Sequence, residues 1–316
     1  MKKIVVSMLC TFGFSSLALH VSAEQAQPAQ LVADTVNRLY NTITSSCQEP
    51  DTLAPRGHYY CSGLLVRAVS DGDYLPWLYG PDAIRLGASS YSWIRGDLNT
   101  TQLLRPAGFI LRNPWYGITE GLPVLDQGFM CLFAFDGSTS GSGNHYGCGH
   151  PKQALPTRFP QPSAQHRNVD FAWGQCEAAG ILSHAQWVAF HEENPQLPYD
   201  WRQCSWNVDR PLAWDNALLE HSIYGDRGHG GHFYVWNELL LKITDDESLL
   251  KERIAAFFYD PNHSSSGTNP PLEAAQNFQR KLDGHGYQVP VLRIDFNAPA
   301  SQRVTYRPED QVIQLN

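Results

Sequence analysis

Three stretches of this 316-residue chain set a polar side chain inside an apolar, strand-like run, where it is costly unless paired or functional. In Gly63-Leu64-Leu65-Val66-Arg67-Ala68 the Arg67 guanidinium ends an aliphatic run and, if buried, demands an anionic partner. In Gly87-Ala88-Ser89-Ser90-Tyr91-Ser92-Trp93-Ile94 a period of two puts Ser90 and Ser92 on one side and Tyr91 and Trp93 on the other. In Phe233-Tyr234-Val235-Trp236-Asn237-Glu238-Leu239-Leu240-Leu241 the Glu238 carboxyl interrupts a run of high β propensity, so it must be paired, neutral or functional. A small anion held by an arginine, beside a carboxylate with perturbed acidity, is the chemistry these types allow. Each residue also has a plain structural reading: a surface ion pair for Arg67, a solvated strand face for Ser90 and Ser92, an exposed position for Glu238.

Other groups invite different chemistry. His229-Gly230-Gly231-His232, with His221, Asp226 and Glu220 nearby, suggests a metal-dependent hydrolase or nuclease as an alternative enzyme. No H-E-x-x-H motif is present, and the glycines do not make a rigid ligand frame. A serine-hydrolase elbow is missing too, because Gly137 to Gly141 centres on Thr139. The 9 Trp and 14 Tyr residues allow a non-enzymatic surface- or carbohydrate-binding module.

The elements that would position these residues are mostly short strands. His58 to Val69, Ser89 to Ile94, Ala107 to Leu111 and Gly128 to Phe135 are aromatic or β-branched and bounded by turn residues. Val289 to Phe296 alternates as a half-buried strand that Pro290 pushes toward a sheet edge. Helices are expected from Leu31 to Ile43, with apolar residues at 32, 36, 39, 40 and 43, and after Ser183-His184-Ala185-Gln186, a capping-box form. Thr244 to Glu247 repeats that form ahead of Leu249 to Phe258, and Asn269-Pro270-Pro271 opens a helix that Gly284 can close. Gly137 to Ser163 is loop by composition. The expected class is α+β: a mixed β core of short strands with peripheral helices and no internal repeat.

Composition bounds the rest. At 42% hydrophobic and 17% charged the chain can bury a substantial core, and with a net charge of -8 and no Lys/Arg block it lacks a footprint for nucleic acid or anionic membrane. Lys2-Lys3, an apolar run to Val21 and Val21-Ser22-Ala23 read as a secretory signal peptide over 1–23, leaving 24–316 as one mature domain, exported to the periplasm or beyond. Six cysteines then remain, Cys47, Cys61, Cys131, Cys148, Cys176 and Cys204, enough for three disulfides. Sequential pairing (47–61, 131–148, 176–204) closes short loops and is the expectation; no C-x-x-C pair supports zinc instead.

In order along the chain, an arginine ending a strand, a Ser-x-Ser strand and a late glutamate before an aliphatic triplet resemble the Arg–Ser–Glu arrangement of the cholera-toxin-like ADP-ribosyltransferase fold. The CSGLLVRA, SSYSWIRGD and NELLLK segments in a cysteine-bearing, exported chain resemble the halovibrin family of secreted NAD glycohydrolases. The resemblance implies a toxin-like hydrolase that takes NAD as substrate, needs no cofactor, acts as a monomer and could meet an inhibitor or immunity protein. It implies that Arg67 clamps an NAD phosphate, that Ser90 hydrogen-bonds the glutamate with Ser92 in support, and that Glu238 stabilises the oxocarbenium-like transition state. Tyr91, Trp93 or Trp236 would stack on the rings, and Asn237 would line the substrate site. Arginine-directed transferases of this class carry a second acid two positions before the glutamate; Trp236 stands there, which favours water as acceptor. The chain departs from the class in two further respects: Arg67 and Ser90 are close in sequence, and a literal Ser138-Thr139-Ser140 lies in a Gly/Ser-rich loop with no apolar strand after it.

Overall fold

In the computed structural model, which describes residues 29–43, 47–48, 55–56, 61–70, 75–79, 83, 88–98, 100–112, 129–133, 176, 181–183, 186, 189, 205–206, 215, 236–242, 248–263 and 269–312, the opening helix α1 spans Ala29–Asn41. Ala29, Ala33, Val36, Leu39 and Tyr40 fall on one stripe of it and are all buried. Ile43, expected on that stripe, lies past the helix end and is exposed. Two backbone amides outside the helix meet its last carbonyls: Gly63 N–H donates to Leu39 and Gly96 N–H to Tyr40, each at 2.8 Å. Gly63 has φ 71°, and a Cβ there would come within 2.3 Å of Trp93 Nε1, so only glycine serves.

A short ribbon, β1 (Cys47–Gln48) against β2 (Pro55–Arg56), precedes the main strands. These are β3 (Leu64–Ala68), β4 (Ala88–Ile94), β5 (Ala107–Leu111), β6 (Phe129–Phe133) and β7 (Glu238–Lys242), followed by the single-turn helix α2 (Ser248–Glu252) and β8 (Ile254–Tyr259). Helix α3 (Pro271–Asp283), β9 (Val291–Ile294) and β10 (Val304–Tyr306) complete the order. Eight strands form one sheet, β10-β9-β8-β5-β3-β4-β7-β6. Neighbours are antiparallel except β8 and β9, which are parallel and joined through α3. The class is mixed α+β, as composition and pattern led us to expect.

Two expectations need correction. Ile254 to Tyr259 is a strand, not the second half of a helix starting at Leu249. It lies inside the sheet with both faces covered, so it reads as a continuous apolar run rather than an alternating one. Pro290 does not push β9 to an edge: it precedes the strand, lends its carbonyl to Phe257 N–H at 2.9 Å, and β9 lies between β8 and β10. Gly284 closes α3 as expected, in a right-handed conformation (φ -57°), and the left-handed glycine follows at Gly286 (φ 84°). Half of the Ser183–Gln186 box forms: Ser183 Oγ accepts from Gln186 N–H at 3.3 Å, while Gln186 Oε1 reaches one residue further back and accepts from Leu182 N–H at 2.7 Å.

Alternation divides the core between the two sides of the sheet. Leu65, Tyr91, Trp93, Phe109, Leu239 and Phe257 pack with Ala274, Ala275, Phe278 and Leu282 of α3. Leu64, Val66, Ile94, Ile110, Ala256 and Phe258 pack with Ala33, Val36, Leu39 and Tyr40 of α1. Each wholly buried side chain of this kind contributes about 1.5–3 kcal/mol relative to exposure. Among the described residues no helix is long and apolar enough to cross a membrane. The expected leader at 1–23, the 137–163 loop with Ser138 to Ser140 and the Thr244–Glu247 cap lie outside the described residues.

Candidate functional site

The three motif segments occupy three consecutive strands, β3, β4 and β7. Their register decides which side chains meet. Val66 pairs with Ser92, and Tyr91 pairs with Leu239, so one step along β7 Glu238 stands across from Ser92. On its other side Glu238 pairs with Phe133 of β6. Ser90 pairs with Leu240, which places it diagonal to Glu238 on the same face. The serine facing the carboxylate is therefore Ser92 and not, as the resemblance implies, Ser90.

Burial along this row changes steadily. Ser90 is exposed, Ser92 is half-buried and Glu238 is only 3% exposed. The reading of Glu238 as an exposed strand residue fails on that number, and a carboxylate so placed requires polar company. Trp236, on the same face, is buried in the cluster beneath α1.

The register at this point is held by a side chain. Asn237 Oδ1 accepts from Trp93 N–H at 2.7 Å, and its Nδ2 donates to the Trp93 carbonyl at 2.6 Å. Asn237 is 4% exposed, so the expectation that it lines the substrate site is corrected: its amide is committed to β4.

Arg67 does not join Ser90, Ser92 and Glu238. It pairs with Phe109 one position after Val66, and alternation turns it to the α3 side, opposite to Glu238. Its guanidinium lies 5.8 Å from the Tyr91 ring centroid and 5.7 Å from that of Tyr79. Tyr91 and Trp93 share this side, buried to 3% and 1% exposure, and so are corrected as stacking partners for a ligand at Glu238. Trp93 is further occupied, its Nε1–H donating to the Ser62 carbonyl at 2.9 Å while the Arg95 guanidinium lies 4.9 Å above its ring. Arg95 pairs with Asp97 at 2.6 Å.

The Arg67 side holds polar groups that the motif reading passed over. Ser89, 2% exposed, points with Tyr91, and Arg253 stands just before β8. Burial raises the Tyr91 pKa, against the pull of the Arg67 charge, of Arg67 and Ser89 as nearby hydrogen-bonding groups, and of the Arg253 charge. Strand parity alone would have put Ser89 beside Tyr91. Arg253 was hidden because Leu249 to Phe258 reads as helix.

Cys61, Cys131 and Cys176 are each disulfide-bonded. Cys47, Cys148 and Cys204, the partners expected for them, have side chains outside the described residues. His221, Glu220, Asp226, His229 and His232 lie outside them as well, and among the described residues no group of three or more His, Cys, Asp or Glu could hold a metal ion. No protein-family model matches the chain, and no curated protein matches it in sequence.

Proposed function

We propose that this protein is an exported NAD glycohydrolase of the ADP-ribosyltransferase-like class, and that Glu238 is the carboxylate that acts on the ribose. One observation carries the reading: Ser90, Ser92 and Glu238, from distant parts of the sequence, share one face of adjacent strands, leading from an exposed hydroxyl to a buried carboxylate. In this reading the nicotinamide ribose enters along the serines. Ser92 orients the Glu238 carboxylate, which stabilises positive charge on the ribose as the N-glycosidic bond breaks and neutral nicotinamide leaves. Water then attacks the anomeric carbon and gives ADP-ribose. Trp236, rather than a second acid, stands two residues before Glu238 and is 4% exposed, which supports water as acceptor over a protein arginine. The phosphate clamp of this cleft is not Arg67, which faces away from it.

The test is incubation of purified, disulfide-intact protein with NAD while nicotinamide release is followed, with and without chelator. Release that chelator does not affect is the expected result. Chelator-sensitive release favours the His229/His232 hydrolase, and no release with retained glycan or cell-surface binding favours a binding module.

A further inference from the structure

Glu238 stands where β7 leaves the regular pairing of the sheet. The β4–β7 ladder runs from Ala88 with Lys242 to Tyr91 with Leu239 and stops one residue short of Glu238, while the β6 ladder ends at Glu238 itself, with Phe133. Beyond Tyr91, the Trp93 backbone turns its N–H and C=O toward β7, and what meets them is the Asn237 side chain, at 2.7 and 2.6 Å. Ordinary backbone pairing would satisfy both groups with nearly any residue at 237. An interposed amide instead sets the main chain of residue 237 back from β4 by the reach of its Cβ and Cγ, past the spacing of about 4.7–4.9 Å between paired strands. The strands therefore part from Ser92 and Glu238 onward, at a separation fixed by two buried bonds. Glu238 is thus held on both flanks, by the ladder at Leu239 and by the amide at Asn237. The same clasp recurs far from this carboxylate. Gln311 Oε1 accepts from Val291 N–H at 2.8 Å and its Nε2 donates to the Val291 carbonyl at 2.9 Å, one residue past the last β9–β10 pair, Leu292 with Tyr306. Three strands, β8, β5 and β3, lie between β9 and β4. A side-chain amide is one way this chain ends a ladder, and at Asn237 it ends one against a buried carboxylate.

We infer that Asn237 is a positioning residue for Glu238: its amide holds β7 to β4 at one set width, and that width aims the carboxylate along the face lined by Ser90 and Ser92. The effect on turnover rests on the reading of Glu238 as the reacting carboxylate; the placement of the carboxylate by Asn237 does not. Asn237 touches no substrate in this account and acts only through its neighbour. Its leverage is large because a misplacement of about 1 Å costs about 10²-fold in rate.

The test compares Asn237→Ala and Asn237→Gln with Gln311→Ala in disulfide-intact protein, each assayed for nicotinamide release where near-ultraviolet circular dichroism shows it folded. Asn237→Gln keeps the amide on a stem one methylene longer, and serves if the alanine variant does not fold. Both Asn237 variants should lose kcat by roughly 10–10²-fold with KM within about threefold of wild type, the split expected when only the transition state is affected. In a Glu238→Gln background the Asn237→Gln change should slow release no further, because the group it positions is already gone. Gln311→Ala loses an equivalent clasp and should keep the wild-type kcat; if such clasps only held the fold together, the two losses would act alike. A second readout needs no turnover. The carboxyl-carbon NMR resonance of Glu238 in isotope-labelled protein, identified by its disappearance in Glu238→Gln, should move in Asn237→Gln and stay in place in Gln311→Ala. A kcat within about threefold of wild type in both Asn237 variants, an equal fall in Gln311→Ala, or an unmoved Glu238 resonance in Asn237→Gln overturns the inference. Wild-type protein that releases no nicotinamide overturns the NAD reading alone, and the resonance then decides whether Asn237 places the carboxylate.

Discussion

Asn237 pairs with Trp93 as one strand pairs with another, except that its side-chain amide takes the place of backbone: Oδ1 receives the Trp93 N–H and Nδ2 reaches the Trp93 carbonyl. Both bonds are buried, and they fix β7 against β4 at the residue before Glu238. Asn237→Ala leaves two buried backbone groups unmet, so it should destabilise the fold by about 2–6 kcal/mol, from roughly 1–3 kcal/mol per orphaned group. Asn237→Asp keeps the acceptor but turns the donor toward Trp93 into an oxygen, and should not rescue. Urea denaturation of the two variants checks this, and loss of less than about 0.5 kcal/mol in both would contradict it.

Gly108 of β5 pairs with Ala68 of β3. A Cβ there would come within 2.0 Å of the Arg67 carbonyl oxygen and 2.9 Å of the Ala68 Cα. Both are backbone atoms, so relief requires the strands to part. Gly108→Ala should cost at least the 1–3 kcal/mol or so typical of overpacking, read as a lower denaturation midpoint with an unchanged slope.

Asp260 gives a pH signature. Burial raises its pKa above the ordinary aspartate value, against the Asn262 N–H that donates to Oδ1 at 2.9 Å. A raised acid favours the fold fully below the unfolded pKa, and that contribution is lost as pH rises through the higher folded value. Asp260→Asn retains an oxygen for Asn262 without the charge. It should therefore gain stability relative to wild type at pH 7, and the gain should vanish below about pH 3.9. Denaturation midpoints across that range decide it; a gain that grows toward low pH would refute the assignment.

The disulfide-bonded cysteines differ in shelter. Cys131 and Cys176 are fully buried, whereas Cys61 is half-buried ahead of β3. Under limiting reductant in native buffer, Cys61 should be alkylated first and the other two only as the fold opens, because exchange needs access to sulfur. Mass mapping of trapped thiols that finds Cys131 or Cys176 modified ahead of Cys61 would contradict this order.

Much of the sheet was legible because its signals are local. Ala107–Leu111 reads directly as strand, α1 from the stripe through Val36 and Tyr40, and the facing of Ser90 and Ser92 away from Tyr91 and Trp93 from alternation alone. Ile254 to Tyr259 misled because a doubly covered strand loses its period of two. The site was legible as residues but not as geometry. Whether Arg67 faces Glu238 depends on the pairing of β3 with β4 and of β4 with β7, and a shift of one residue in either reverses the answer. Nothing in the composition of those strands encodes that register; distant contacts such as Asn237 to Trp93 do.

The most direct measurement is the rate of nicotinamide release from NAD by wild type and Glu238→Gln, both shown folded by near-ultraviolet circular dichroism. The account predicts a fall in kcat of about 10²–10³-fold in the variant, the scale expected when a group aimed at transition-state charge is lost. Release by folded Glu238→Gln within about threefold of wild type, well short of that scale, would contradict it.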